Sequence, residues 1–302
     1  MSNEVIHIKS ISELHRALGL EPPQHPLITL IDVQSVNLPE MDPDQRMIAD
    51  YYMISMKDGN CGMQYGRNYY DFEEGVLVFT APNQVISGGG ENTVTKGWML
   101  FFHPDLIRGS NLGANMSKYS FFSYDVHEAL HLSQKEQNMM DSMVERIEYE
   151  YQQNIDGHTQ DLLVSHLELV LNYSLRFYER QFHTRKKQNV DVLTKVETLL
   201  TGYYKQEKQF DHGVPSIHYL AENVHLSPNY LSDLLKKETG RNAKDHISHF
   251  VVERAKNQLL NTNDAVGEIA YNLGFNYPHY FSRMFKQRTG LTPQKYRERS
   301  MN

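Results

Sequence analysis

Three groups of residues in this chain carry side chains able to do chemistry. The first is His127-Glu128-Ala129-Leu130-His131, the spacing of a zinc-protease motif. In that motif two histidines one helical turn apart ligate the metal and the glutamate acts as general base. The second is Cys61, a nucleophile only where a base or a cation activates it. The third is a set of donors and cations, His279, Ser282, Arg283 and Lys286, at i, i+3, i+4 and i+7. On a helix those positions share one face. A second set with the same spacing, Asn229, Ser232, Asp233 and Lys236, precedes it by 50 residues.

The first two groups lack what their chemistry needs. Ser133 with Glu136 three residues later is a capping box, so a helix opens after the histidine pair, which falls in a loop or strand end. There the two histidines do not share a helical face, and no third ligand is marked by spacing. With 15 histidines in the chain, chance is the better account of this motif. A metal site inside a β-barrel would need several histidines and a carboxylate to converge. Residues 50–102 contain no histidine, and His103 stands alone after a run of strand signals. Cys61, next to Gly62, has no neighbouring histidine and reads as a small buried or turn residue. No catalytic residue, metal or cofactor is therefore expected. A metal-dependent enzyme, of the HExxH or the barrel type, is the alternative reading.

The third group needs a helix with one apolar and one polar side. In Gly274 to Arg297 (GFNYPHYFSRMFKQRTGLTPQKYR), Tyr280, Phe281, Met284 and Phe285 fall on the apolar side. Gly290 is placed to end this helix in a left-handed cap, and Thr292-Pro293 starts another. Residues 265–273 read as a helix ending at Gly274. Helix, glycine turn and second helix with a polar outer face is the helix-turn-helix plan, whose second helix enters the DNA major groove.

The plan occurs twice. Pro228 to Gly240 (PNYLSDLLKKETG) aligns with Pro278 to Gly290 (PHYFSRMFKQRTG), matching Pro, Tyr, Ser, Lys, Thr and Gly at an offset of 50. Upstream, Leu220-Ala221 aligns with Ile269-Ala270 at an offset of 49, so the second turn is one residue longer. His225 stands where the second copy has its turn glycine, and histidine tolerates positive φ better than most residues. Ser227 is the expected cap of the first copy's second helix, with Pro228 in its first turn. Between the copies, residues 242–260 read as one amphipathic helix with Ile247, Phe250, Val251, Ala255 and Leu259 as its stripe. Nineteen residues span ~28 Å as a helix. Successive major grooves on one side of a duplex lie ~34 Å apart. A stiff spacer of that length is expected to seat both outer helices, about 228–238 and 277–288, in successive grooves.

Composition bounds the rest. At 302 residues with 40% hydrophobic and 22% charged residues, the chain is expected to fold as two domains. Its net charge of −7 is uneven: residues 1–187 hold 15 basic and 25 acidic residues (−10), and residues 188–302 hold 15 and 12 (+3). One cysteine suits a reducing compartment. The N-terminus has no apolar signal core, and no run of about 18 apolar residues occurs, so a cytoplasmic protein without a membrane span is expected.

Residues 1–20 read as an arm with one short helix. From Leu27 to Phe102, LITLIDV, MIADYYMISM, VLVFTAP and GWMLFFH read as strands, separated by turn signals such as Lys57-Asp58-Gly59-Asn60, Glu73-Glu74-Gly75 and Gly88-Gly89-Gly90. They imply an antiparallel barrel or sandwich. Its interior would be lined by Tyr52, Ile54, Met56, Phe79 and Trp98, which serve either as core or as an effector pocket. Two helices follow, from Ser133 to about Gln153 and from about Thr159 to His183. The second is apolar on two sides, one of which covers either the same chain or a second subunit. Residues 184–190 are polar and basic and read as a linker.

Residues 190–298 resemble the C-terminal domain of the AraC/XylS family of bacterial transcription regulators, on the duplicated module, the connecting helix and the closing GFNYPHYFSRMFKQRTGLTPQKYR. The strands and paired helices before it are similar to that family's cupin-like ligand and dimerisation domain. The resemblance implies an α+β multidomain fold: a cupin-like antiparallel β-barrel (1–132), a helical dimerisation pair (133–183), a linker (184–190) and an all-α double helix-turn-helix domain (191–299). It implies base reading by Asn229, Ser232, Asp233, His279, Ser282 and Arg283. Arg283 is the first choice because a guanidinium pairs bidentately with guanine. Lys236 and Lys286 would contact phosphate. Asp233 departs from a basic expectation and would either accept from cytosine or weaken the first helix's grip. The implied partners are double-stranded DNA, a second copy of the chain, a small-molecule effector and, for an activator, RNA polymerase.

Overall fold

The computed structural model describes residues 5–36, 46–57, 75–87, 96–125 and 128–300. Two compact units divide the chain, Met1–His183 and Thr184–Asn302.

The N-terminal unit contains β1 (Val5–Ile8), α1 (Ile11–Ala17), β2 (Ile28–Asp32), β3 (Arg46–Ala49), β4 (Tyr52–Lys57), β5 (Val76–Thr80), β6 (Val85–Ser87), β7 (Gly97–Phe102), α2 (Pro104–Ile107), α3 (Asn111–Ala114), β8 (Leu130–His131), α4 (Gln134–Tyr151) and α5 (Thr159–Thr184). The strands form two sheets, ordered β1-β3-β6 and β2-β7-β4-β5-β8. The larger sheet is antiparallel throughout, whereas β1 runs parallel to β3. Among the described residues the strands do not close into a barrel. The run MIADYYMISM, read as one strand, breaks at Asp50 and supplies a strand to each sheet. The apolar run continues through the break, and the crossing is fixed by tertiary pairing, including the bond from the Asp50 amide to the Ile8 carbonyl.

Strand register decides what each face does. Tyr52, Ile54 and Met56 lie opposite Phe102, Leu100 and Trp98, and Ile54 also lies opposite Phe79. Side chains alternate along a strand, so these residues share one face. Phe121 and Phe122, from the turn at Ser120–Ser123, cover that face, with Phe79 at 4.4 Å from Phe121 and Tyr52 at 4.9 Å from Phe122. Trp98 Nε1 donates to Asp141 of α4 at 2.8 Å. Tyr52, Ile54, Met56, Phe79 and Trp98 therefore belong to the core between the large sheet and its helices. The opposite face contributes Ile31, Met99 and Phe101 to a second core with Ile8, Ile11, Leu14, Ala49 and Tyr51.

The helices start where the sequence places them. Ser133 and Glu136 form the capping box of α4. Both apolar sides of α5 are buried within the one chain, including Leu163, Leu167 and Val170 on one and Leu171 and Tyr178 on the other. The large apolar side chains that α5 exposes are Leu162 and Leu169, each 44% accessible.

The C-terminal unit is helical: α6 (Lys186–Lys205), α7 (Gln209–His212), α8 (Ile217–Val224), α9 (Pro228–Thr239), α10 (Ala243–Asn261), α11 (Val266–Asn272), α12 (Pro278–Thr289) and α13 (Pro293–Ser300). Residues 184–190, expected as a linker, are helical apart from Arg185. Polar composition marks solvent exposure as readily as it marks a loop, and Asn189 is in fact buried, donating to Glu238 of α9 at 2.8 Å.

Candidate nucleic-acid interface

Each repeat folds as helix, turn and second helix: α8 with α9, and α11 with α12. The turns close by different means. His225 ends α8 in the left-handed conformation, at φ 58° and ψ 46°. In the second copy Gly274 has φ 92°, and its backbone lies against Gly213. Adjacent tyrosines of α6 hold this junction. Tyr203 donates to the Gly213 carbonyl at 3.0 Å and Tyr204 to the Leu273 carbonyl at 3.1 Å. Burial raises the pKa of Tyr204, so its hydroxyl stays a donor. Arg254 of α10 stacks over the Tyr204 ring at 4.8 Å.

Both second helices begin with proline and end in a left-handed glycine, Gly240 at φ 75° and Gly290 at φ 78°. Ser227 Oγ accepts the Tyr230 amide and caps α9. Tyr277 at the same place on α12 makes no side-chain cap. α10 joins the modules, capped by Asn242, and is 19 residues long. Arg288 of α12 pairs with Asp245 of α10. Arg297 of α13 donates to the Leu259 and Asp264 carbonyls at 2.9 and 2.7 Å, satisfying the end of α10.

The outer faces follow from the helical angle of about 100° per residue. On α12, Phe281 and Phe285 are fully buried, and Arg283 points about opposite to them. His279 and Lys286 lie about 40° and 60° to one side of Arg283. All three are exposed. Ser282 is half-buried, nearer the core edge. On α9, Asn229 and Lys236 are exposed and Asp233 is half-buried. The Ser232 hydroxyl accepts the Ala243 amide at 3.5 Å, so it also serves the turn into α10.

Two residues on α12 escaped the sequence reading. Gln287 lies about 40° from Arg283 on its other side and is exposed. Tyr280, assigned to the buried side, is 56% exposed, whereas its repeat mate Tyr230 is 4% exposed. The helical angle was the available signal. Tyr280 sits about 60° from Arg283 and about 100° from Phe281. Met284, also assigned inward, is half-buried.

The competing sites read as local structure. His127 and Cys61 lie outside the described residues. Glu128 is buried, with Oε2 accepting the Asp125 amide at 2.9 Å. His131 is in β8, not on a helix, with its amide donating to Gln181 and its carbonyl accepting from Arg180. His103 caps α2 through Nδ1, which accepts the Asp105 amide. Among the described residues, no group of three or more His, Cys, Asp or Glu could hold a metal. No helix among them is long and apolar enough to cross a membrane.

Residues 220–299 match the helix-turn-helix domain family. The chain is 31% identical over 137 residues to YtdP of Bacillus subtilis strain 168, an uncharacterized HTH-type transcriptional regulator, covering 42% of this chain and 18% of that protein. It is 23% identical to YisR of the same organism, also an uncharacterized HTH-type transcriptional regulator, over 84% of this chain and 88% of that one. The C-terminal domain of a two-component response regulator, yesN, from Fusobacterium nucleatum is 31% identical, covering 33% of this chain and 96% of that domain with a TM-score of 0.29. The chain spans less than half the length of the first curated relatives it matches, 18%, 46% and 47%.

Proposed function

We propose that this chain is a sequence-specific DNA-binding transcription regulator whose C-terminal domain is of the AraC/XylS type, a reading supported by the match of residues 220–299 to the helix-turn-helix domain family and by the regulators it resembles. The observation that carries this reading is the duplication. One compact unit presents two second helices of the same design, each with an outward polar face ending in a lysine.

In this reading α9 and α12 enter successive major grooves. Arg283, at the middle of the α12 face, pairs with a guanine, flanked by His279 and Ser282. Asn229, Ser232 and Asp233 read from α9, where a carboxylate suits a cytosine amino group. Lys236 and Lys286 hold phosphates and set the register. The second module carries the larger share of the binding because its face has Arg283 where the first has Asp233.

The N-terminal unit is the regulatory part, a cupin-like fold in outline. Its five-residue set at Tyr52, Ile54, Met56, Phe79 and Trp98 is packed by Phe121 and Phe122, so an effector binding there has to displace that aromatic turn. A shift in Trp98 fluorescence and in melting temperature with small-molecule libraries tests this. Dimerisation would use the α4–α5 pair, with Leu162 and Leu169 as its exposed apolar seam. RNA polymerase is the further partner of an activator.

Selection of bound sites from random duplex DNA by the full chain tests the whole reading. A defined sequence with two half-sites about one helical turn apart is expected. Arg283→Ala should cost ~1–3 kcal/mol on that site and blur one base. Equal loss on random DNA would remove its base-reading role. A footprint covering a single half-turn would refute the two-groove arrangement.

A further inference from the structure

The two modules differ most on one flank. Along α9 the row Tyr230, Leu234 and Glu238 (i, i+4, i+8) is covered: the first two are 4% and 2% exposed, and Glu238 accepts from Asn189 of α6. The matching row on α12 is Tyr280, Met284 and Arg288. α12 packs against α10, α11 and α13, with Arg288 of this row on Asp245, and the row's N-terminal end stays open. There Tyr280 and Tyr277 are 56% and 60% exposed. Their ring centroids lie 6.0 Å apart, and the His279 ring is 4.2 Å from Tyr280. The same tyrosine of the repeat is thus core in one copy and surface in the other.

This flank is continuous with the reading face. A helix with its side chains is about 10–12 Å across, and the major groove is about 12 Å wide. A helix seated there meets both phosphate walls. With Arg283 toward the base edges, Lys286 and His279 face one wall, and Tyr280 and Gln287, about 60° and 40° to the other side, face the second. We propose that Tyr280, braced by Tyr277 and His279 and assisted by Gln287, is a DNA-contacting residue that grips the sugar-phosphate backbone of the strand opposite the one held by Lys286. The phenol hydroxyl donates to a phosphate oxygen and the ring packs on the adjoining deoxyribose. The phenol carries no charge and displaces no counterion, so this wall adds register without adding salt dependence.

The proposal rests on the DNA-binding reading of α12, and its test separates the two. Full-length protein is titrated with its selected duplex, and with a set of duplexes each carrying one neutral methylphosphonate. Tyr280→Phe is expected to weaken binding about three- to ten-fold, the net worth of one ordinary hydrogen bond at an exposed site. Tyr280→Ala weakens it further, and both leave the slope of log affinity against log salt unchanged. Tyr280→Phe should lose sensitivity to one methylphosphonate position and Lys286→Ala to another, on opposite strands of one major groove. Wild-type affinity in Tyr280→Ala, or both variants mapping to the same strand, overturns the proposal. Unchanged DNA affinity with reduced transcription in a reconstituted assay assigns the cluster to a protein partner, and also overturns it. If Arg283→Ala loses site preference while Tyr280→Ala keeps wild-type affinity, the reading of α12 stands and only the second wall falls. If wild-type protein shows no site preference, the reading itself falls.

Discussion

Replacing Gly274 with alanine tests how the second module is held. A Cβ built there would lie 2.6 Å from the Gly213 carbonyl carbon, 2.8 Å from its oxygen and 2.9 Å from the Val214 nitrogen. All three are backbone atoms, so no side chain can swing away. The φ of 92° adds strain of ~1–2 kcal/mol for a residue with a Cβ. Forcing two backbone segments apart in a packed unit costs a further ~1–3 kcal/mol. Gly290 and Gly240 provide the internal control: their φ values are 78° and 75°, and nothing lies within 4 Å of an added Cβ. Alanine there carries only the conformational strain, less ~0.4–1 kcal/mol recovered from a stiffer unfolded chain. Gly274→Ala should therefore lower the melting temperature of the C-terminal unit by about 10 °C, and Gly290→Ala by a few degrees. The single tryptophan, Trp98, lies in the N-terminal unit, so its fluorescence transition should not move while the helical signal at 222 nm does. Equal shifts for Gly274→Ala and Gly290→Ala would refute the close-approach argument.

Three further outcomes follow from the same geometry. Lys286→Ala and Lys236→Ala should each reduce the slope of log affinity against log salt by ~1, measured by fluorescence anisotropy from 50 to 200 mM salt. Arg297→Ala removes two charge-assisted bonds to backbone carbonyls and should destabilise the C-terminal unit by ~1–3 kcal/mol in urea titrations. His246 is half-buried against Thr239, and burial, with Arg241 nearby, lowers its pKa below the ordinary value of about 6.5. The unfolded state then binds the proton more readily, so the stability this residue contributes is fully present above about pH 6.5 and declines as pH falls below it. Unfolding midpoints of wild type and His246→Gln, measured from pH 7.5 to 5.0, should show the wild type losing more on acidification.

The C-terminal unit was legible in the sequence to the level of caps and faces. Pro228, Pro278, Gly240 and Gly290 act through local backbone rules, so their positions announce helix ends without reference to the rest of the fold. His225 at positive φ follows from the repeat alignment in the same way. The N-terminal unit was legible as strands and not as sheets. MIADYYMISM is one nearly continuous apolar run but serves two sheets, and which strands stand beside β4, with Ile54 opposite Leu100 and Phe79, was fixed only by register.

Site residues divide along the same line. Arg283, Lys286 and Asn229 are exposed because a helix has an outer face, and periodicity alone places them there. Tyr230 and Tyr280 are identical by type and repeat position, so no local rule separates them. α6 packs along α9 through Asn189, whereas on α12 Arg288 meets Asp245 of α10 and Tyr280, two turns earlier, is left exposed. The sequence by itself determined the modules, their caps and the direction of their polar faces, because those depend on contacts a few residues apart. Which of two equivalent tyrosines meets solvent, which glycine is crowded, and which face of a sheet receives its helices depend on segments distant in the chain, and only the tertiary structure decided them.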